Sequence, residues 1–393
     1  MLIFMSLEDI SNADALYDGY MEARRGVDWK EAVQQYEANL LLNILHTKKK
    51  INNWEYKPKP MTEFKLCERG HVRQIKAQSI YDRVVQRSLN DNVLIPKTRP
   101  LLIYDNGASL EGKGLSFGRK RFEIHLRKAY KEFGKDAHVL LMDFLKYYDN
   151  IVHDKALKAF SRVLLDDELE FLKISFREFE IDVSYMTDYE FKNCLDMVFN
   201  AIEYSKIPEK AKTGKKFLKK SVGIGNQSSQ ITGVLYSTPI DNYCKTVKRI
   251  KYYGRYMDDT YIIMKDKEEL KSVYAEICEK CQELGIFINQ KKTHIYKMYG
   301  WLTWLKINYK LTETGGLVRK VHSSSFRRER RRLKKFQKLV KQGRMTCEQV
   351  WNCYKSWRGD YEKYDSAEKL RKLDKYFNEL FKEAKENERA SED

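Results

Sequence analysis

The chain has 393 residues, 42% hydrophobic and 33% charged, with 19 Gly and 6 Pro; that excludes a peptide toxin, a collagen-like rod and a mainly disordered polymer, and predicts two or three subdomains. Lys and Arg number 74 against 56 Asp and Glu, a formal charge of +18, so the expected partner is a polyanion, either nucleic acid or an anionic membrane surface. The membrane is the weaker choice, because the apolar run Met1–Met5 is ended by Ser6, Glu8 and Asp9 long before the ~20 residues of a span, and a cytoplasmic protein is expected.

In chain order, Val33, Tyr36, Leu40, Leu41, Ile44 and Leu45 recur at helical spacing and predict one amphipathic helix over 30–47, followed by a loop marked by Pro58 and Pro60. Weak alternation over 63–76 predicts a hairpin turning at Gly70, and helices are predicted over 80–94, ending near Pro96, and over 119–133. Val139, Leu140, Leu141 and Met142 form a short apolar run that stops at Asp143, the pattern of a buried strand. Residues 154–220 return to helical spacing, with a basic loop at Lys210–Lys220, until Gly223 and Gly225 break it.

Residues 251–265 predict a second hairpin with its turn at Met257 and Asp258, and 268–284 a helix whose buried face carries Leu270, Val273, Tyr274, Ile277, Cys278, Cys281 and Leu284. That helical face explains the single CxxC better than a zinc site, which needs a second pair. Seven cysteines, an odd number thinly spread, fit a reducing compartment. More strands are expected over 286–309. After His322 the composition changes: Arg327, Arg328, Arg330, Arg331, Arg332, Lys334 and Lys335 crowd into a helix-favouring region, and Glu383–Asp393 is polar enough to fray.

The residues that carry chemistry are acidic. Tyr256-Met257-Asp258-Asp259 places two carboxylates at a tight turn, where charges about 4 Å apart repel by about 4 kcal/mol at an effective dielectric of 20. A cation offsets that repulsion. Asp143 ends the comparable upstream strand, and pairing of the two strands in one sheet would bring it beside Asp258 as a cradle for a hard divalent ion. On a basic chain, paired metal ions that activate a hydroxyl and stabilise a leaving oxygen point to nucleotidyl transfer. Asp166-Asp167 reads instead as helix-start chemistry.

Three segments stand in order: LLMDFLKYYDNI at 140–151, SVGIGNQSSQITGVLYSTPIDNY at 221–243, and YMDD at 256–259. Together they resemble the palm of reverse transcriptases. The resemblance implies an α+β right-hand polymerase: an N-terminal helical extension over 1–62, fingers over 63–137, a palm over 138–315 with a helical insertion at 154–220, a helical thumb over 316–382, and a flexible tail over 383–393. It implies that Asp143, Asp258 and Asp259 are the catalytic and metal-binding carboxylates of two Mg²⁺ ions, with Mn²⁺ as the alternative ion. Tyr148, five residues past Asp143, matches the steric gate against a ribonucleotide 2′-hydroxyl, and Gln230 the residue that contacts the incoming nucleotide. Arg73 in HVRQI matches the fingers arginine that receives the triphosphate, with Lys65 a further nucleotide-binding candidate.

Lys292 matches the lysine near the leaving pyrophosphate and is the candidate general acid. Lys113, Arg327, Arg328, Arg331, Lys334 and Lys335 are candidates for nucleic-acid binding, since a duplex presents phosphates to a basic helix. The form Ile224-Gly225-x-x-x-Ser229-Gln230 resembles diversity-generating retroelement and some defence-associated reverse transcriptases, and Ile231 stands where others carry glycine, a bulk expected beneath the template base. Trp304-Leu305-Lys306 departs from the Phe-Leu-Gly that relatives often have at the primer grip. The expected function is RNA-directed DNA synthesis from a dedicated structured RNA, with deoxynucleoside triphosphates, a cDNA product and either an accessory protein or a second copy of the chain as partners. The alternatives are a phage-defence enzyme making templated or untemplated DNA and an intron-type splicing cofactor. The origin implied is bacterial or prophage, and the length leaves no room for a ribonuclease H domain.

Overall fold

The computed structural model describes residues 7–68 and 71–382; the apolar run Met1–Met5, the turn at Gly70 and the tail from 383 lie outside the described residues. The chain divides into two compact units, one built from 1–118, 140–262 and 268–294, the other from 119–139, 263–267 and 295–393. Among the described residues no helix is long and apolar enough to cross a membrane.

In the first unit the helix expected over 30–47 is two helices, Glu31–Ala38 and Leu40–Asn52, broken at Asn39. The break resets the helical phase: Ile44, Thr47 and Ile51 take the buried face, whereas Leu41 and Leu45, expected in the core, are 71% and 57% exposed. Helix Ala13–Arg24 packs on Ile80–Leu89 so closely that a Cβ on Gly19 would stand 2.8 Å from the Val84 carbonyl. The helix expected to end near Pro96 continues instead, through a widened turn at Asn90–Leu94 into Ile95–Thr98. Pro96 follows directly on that widened turn.

Strands β1 (Thr62–Glu68) and β2 (His71–Ala77) form an antiparallel hairpin, and β3 (His138–Asp143) follows as expected. The region 154–220 is not wholly helical: β4 (Ile181–Asp182) pairs antiparallel with β5 (Phe217–Leu218), closing a small core of Val183, Cys194 and Phe199. Two residues per strand are too few for a period-2 pattern to register in the sequence. β6 (Tyr252–Tyr256) and β7 (Asp259–Met264) flank a turn at Met257, which has φ 56°. Within this unit they lie with β3 in one sheet in the order β6-β7-β3, and β8 (His294–Lys297) follows later in the chain. β3 and β7 are therefore neighbours although more than a hundred residues apart in sequence. The helix Lys267–Leu284 buries Leu270, Val273, Ile277 and Cys281, and burial pushes the Cys281 thiol up.

In the second unit β9 (Leu302–Trp304), β10 (Ile307–Leu311) and β11 (Leu317–Val321) form an antiparallel sheet in the order β11-β10-β9. Trp304 pairs with Ile307, so Leu305 (φ 45°) and Lys306 (φ 68°) make a two-residue reverse turn, both in the left-handed conformation such turns require. Arg119 holds the turn, its Nε and Nη2 donating to the Leu305 carbonyl at 3.0 and 2.8 Å. Three helices, Ser323–Lys341, Cys347–Glu362 and Ala367–Leu380, bury Leu333, Val350, Tyr354, Leu373 and Phe377, with the Tyr354 and Phe377 rings stacked at 4.7 Å. Arg327, Arg331, Lys334 and Lys335 lie exposed on the first of these, and Arg328 is half-buried.

Candidate active site

The strand β3 ends on Asp143 because the apolar run that makes it a core strand stops there, and its neighbour β7 starts at Asp259. The Phe144 amide donates to the Asp258 carbonyl at 3.3 Å, which ties the end of one strand to the turn of the other. Asp143 is 8% exposed. The segment 289–293 wraps it: Asn289 Nδ2 donates to Oδ1 at 2.7 Å, Lys292 Nζ to Oδ2 at 2.9 Å, and the Asn289 amide to the Asp143 carbonyl at 2.8 Å. The Asp143 amide in turn donates to Thr293 Oγ1 at 3.3 Å. The motif running from Leu284 to Asn289 and on to Lys292-Thr293 marks this segment in the sequence and gives Lys292 a role; the hold of Asn289 and Thr293 on Asp143 is a finding of the structure.

The electrostatics show a site short of positive charge. Burial raises the Asp258 carboxyl and the charge of Asp143 raises it further, to about 6, against the pull of its own backbone amide, Lys292 and Arg73. Burial works against the Lys292 ammonium, yet its bond to Asp143 and the charges of Asp143, Asp259 and Asp258 outweigh that and hold it protonated above its usual range. Three carboxylates thus bear on one cation. Among the described residues no group of three His, Cys, Asp or Glu side chains stands ready as an ion cage. The donors nonetheless fit a hard divalent ion, being carboxylate oxygens with an ammonium bound to Asp143 where a cation is needed.

Tyr148 lies half-buried beside this cluster, its hydroxyl donating to Met257 Sδ at 3.4 Å. Burial and then Asp258 push the phenol well above its usual range. Gly233, on the helix Gln227–Tyr236, backs the ring: a Cβ there would sit 3.2 Å from it. Gln230 is exposed on that helix and accepts from Ser109 Oγ at 3.5 Å. Ile231, next on the helix, is only 2% exposed. The preceding loop leans on the β2 hairpin, Lys76 N donating to the Ile224 carbonyl at 3.2 Å, and Gly225 at φ 122° adopts a conformation that only glycine takes easily.

Arg73 is exposed on β2, and its charge lowers both the Tyr148 and Asp258 values. It pairs with Leu66, whereas Lys65 pairs with Gln74; successive residues point to opposite faces, so Lys65 is on the other side of the hairpin from Arg73. Lys113 Nζ donates to the Tyr104 carbonyl at 2.9 Å and lies over the Tyr104 and Phe117 rings, bracing its own loop. The basic helix Ser323–Lys341 belongs to the second unit.

The fold is that of an α+β polymerase, a nucleotidyltransferase. The profile of the family "Reverse transcriptase (RNA-dependent DNA polymerase)" matches residues 57–326, and the chain belongs to that family. Its enzyme class is the RNA-directed DNA polymerases, which bind an RNA template and generally use divalent metal ions. Similar solved structures include telomerase from Candida albicans in complex with a TWJ fragment of telomeric RNA, at 14% identity and TM-score 0.45 over 83% of this chain and 55% of that one. Apo telomerase from Candida tropicalis is similar at 18% identity and TM-score 0.39, over 65% of this chain and 47% of that one. The chain spans about half the length of the telomerase chains it matches. No curated protein matches it.

Proposed function

We propose that this chain is itself an active reverse transcriptase that extends a primer on an RNA template by two-metal nucleotidyl transfer. The observation that carries the reading is the junction of Asp143 with the Asp258-Asp259 turn, clamped by Lys292 and Asn289. Asp143 and Asp258, with Asp259 in support, would hold two Mg²⁺ ions, which when bound activate the primer 3′-hydroxyl and stabilise the leaving oxygen. Lys292, kept protonated, is poised to give a proton to the departing pyrophosphate. Arg73 receives the triphosphate, Tyr148 screens the sugar and Gln230 meets the incoming nucleotide. Residues 63–137 act as fingers, 138–315 as palm and 316–382 as thumb, with the exposed cations of the 323–341 helix on duplex phosphates.

The Ile224-Gly225-x-x-x-Ser229-Gln230 form favours a bacterial or prophage retroelement of the diversity-generating type, working on a dedicated structured RNA in the cytoplasm. The same segment fits a phage-defence enzyme, so product sequencing is part of the test. Purified protein is incubated with primed RNA, Mg²⁺ and labelled deoxynucleotides beside Asp258→Asn. Extension by the parent and none by the variant is expected; template-independent product would favour the defence reading, and equal extension by both would overturn the assignment of the site.

A further inference from the structure

Below the acidic turn lies an ion pair that the reaction scheme does not use. Arg255 and Asp241 have side chains that are both 0% exposed. Arg255 Nε donates to Asp241 Oδ1 at 2.8 Å and Oδ2 at 3.1 Å, and Nη2 to Oδ2 at 2.5 Å. A buried pair of this kind gives little net stability, since desolvation of the two charges offsets most of their attraction. What distinguishes this one is where the remaining donors go. Nη2 also donates to the Val234 carbonyl at 2.8 Å, and Nη1 to the Met257 carbonyl at 3.2 Å. The Tyr253 hydroxyl donates to Asp241 as well, and the Arg255 backbone is fixed by its amide donating to the Asp105 carbonyl at 3.1 Å and its carbonyl accepting from the Gly107 amide at 2.9 Å.

Both carbonyls reached by the guanidinium lead to Tyr148. Val234 follows Gly233, which backs the Tyr148 ring and whose own carbonyl accepts from the neighbouring Tyr147 hydroxyl at 2.6 Å. Met257, held in the left-handed region at φ 56°, receives the Tyr148 hydroxyl on its Sδ. One planar five-donor group therefore grips the wall behind the ring and the turn beneath its hydroxyl, and a lysine ammonium, whose three N–H groups radiate from one atom, cannot span all three acceptors. We infer that Arg255, clamped by Asp241, is a positioning residue that couples the acidic turn to the sugar-facing Tyr148, so that it sets the discrimination between deoxy- and ribonucleotides without touching either.

The inference rests on the proposed polymerase reading and on Tyr148 as the sugar gate. It is tested on the full chain with primed RNA, using Arg255→Lys and the double variant Arg255→Met with Asp241→Asn. The double variant leaves no unpaired charge buried and keeps an acceptor for Tyr253. A deoxynucleotide and its ribonucleotide compete in one reaction, and the readout is the ratio of their kcat/KM values. Because both compete for the same active molecules, the ratio does not depend on how much of a preparation is folded; thermal melting reports that separately. Losing one or two hydrogen bonds of roughly 1 kcal/mol each corresponds to about a 5- to 30-fold fall in the ratio, and that fall is expected in both variants. Combining Arg255→Lys with Tyr148→Phe is expected to give less than the product of the separate effects, since both act through Met257. A parental ratio in the variants, however low their yield or melting temperature, means that Arg255 serves only the fold and overturns the inference. A parent that does not extend, or that takes both sugars equally, would instead remove the polymerase reading or the gate.

Discussion

His153 gives a prediction whose size follows from the structure. It is 2% exposed, lies edge-on to Phe176 at 5.2 Å, and its Nε2 meets the Ser221 carbonyl at 2.5 Å, just ahead of the loop that leads to Gln230. Burial lowers its value to about 4, although the Ser221 carbonyl and Asp154 pull the other way. In the unfolded chain an imidazole titrates near ~6.5. The unfolded state therefore takes up the proton first as pH falls, so the stability gained by keeping the ring neutral is complete above ~6.5 and is lost as pH drops toward 4. At about 1.4 kcal/mol per pH unit the full loss is about 3 kcal/mol, of which about 2 kcal/mol falls between pH ~6.5 and ~5. His153→Gln keeps a donor for Ser221 and does not titrate. Denaturant unfolding of the two proteins at pH ~7.5 and ~5 is expected to show the parent losing about 2 kcal/mol more than the variant. Parallel losses would mean that His153 is charged in the folded protein, and the reasoning from burial would fail.

Three further outcomes are expected. Asp258→Asn should lower primer extension by about a thousandfold or more while its melting temperature stays equal to or above the parent's, because the repulsion with Asp143 that raises Asp258 is relieved; a drop in melting temperature would contradict the charge argument. Tyr148→Ala, read by incorporation of ribonucleotides, should admit them at least about tenfold more readily, since the ring that fills the space above Gly233 is gone. Gly254→Ala should destabilise the protein by about 1–3 kcal/mol in denaturant melts, because its Cβ would stand 2.6 Å from the buried Tyr261 hydroxyl.

Legibility followed the range of the interactions involved. The strand 138–143, the hairpin around Met257 and the helix 267–284 could be read locally, because apolar runs and helical spacing are properties of a dozen consecutive residues. Expected elements failed for two reasons: Leu41 and Leu45 fit a helical stripe, but a break at Asn39 shifted the phase and turned them to solvent, and the paired dipeptides 181–182 and 217–218 exist only because each finds its distant partner.

For the site, the sequence by itself determined the chemistry: carboxylates at the end of one strand and at one hairpin turn, a basic chain, and the segment order that implies a polymerase. The tertiary structure alone decided that Asn289, Lys292 and Thr293 close on Asp143, that Lys65 lies on the far face of its hairpin from Arg73, and that Arg255 reaches both Val234 and Met257. The reason is physical. Side-chain type and local period are written along the chain, whereas the geometry of a charge cluster depends on which strands become neighbours and on how deeply each charge is buried, and both are set only when the sheet assembles.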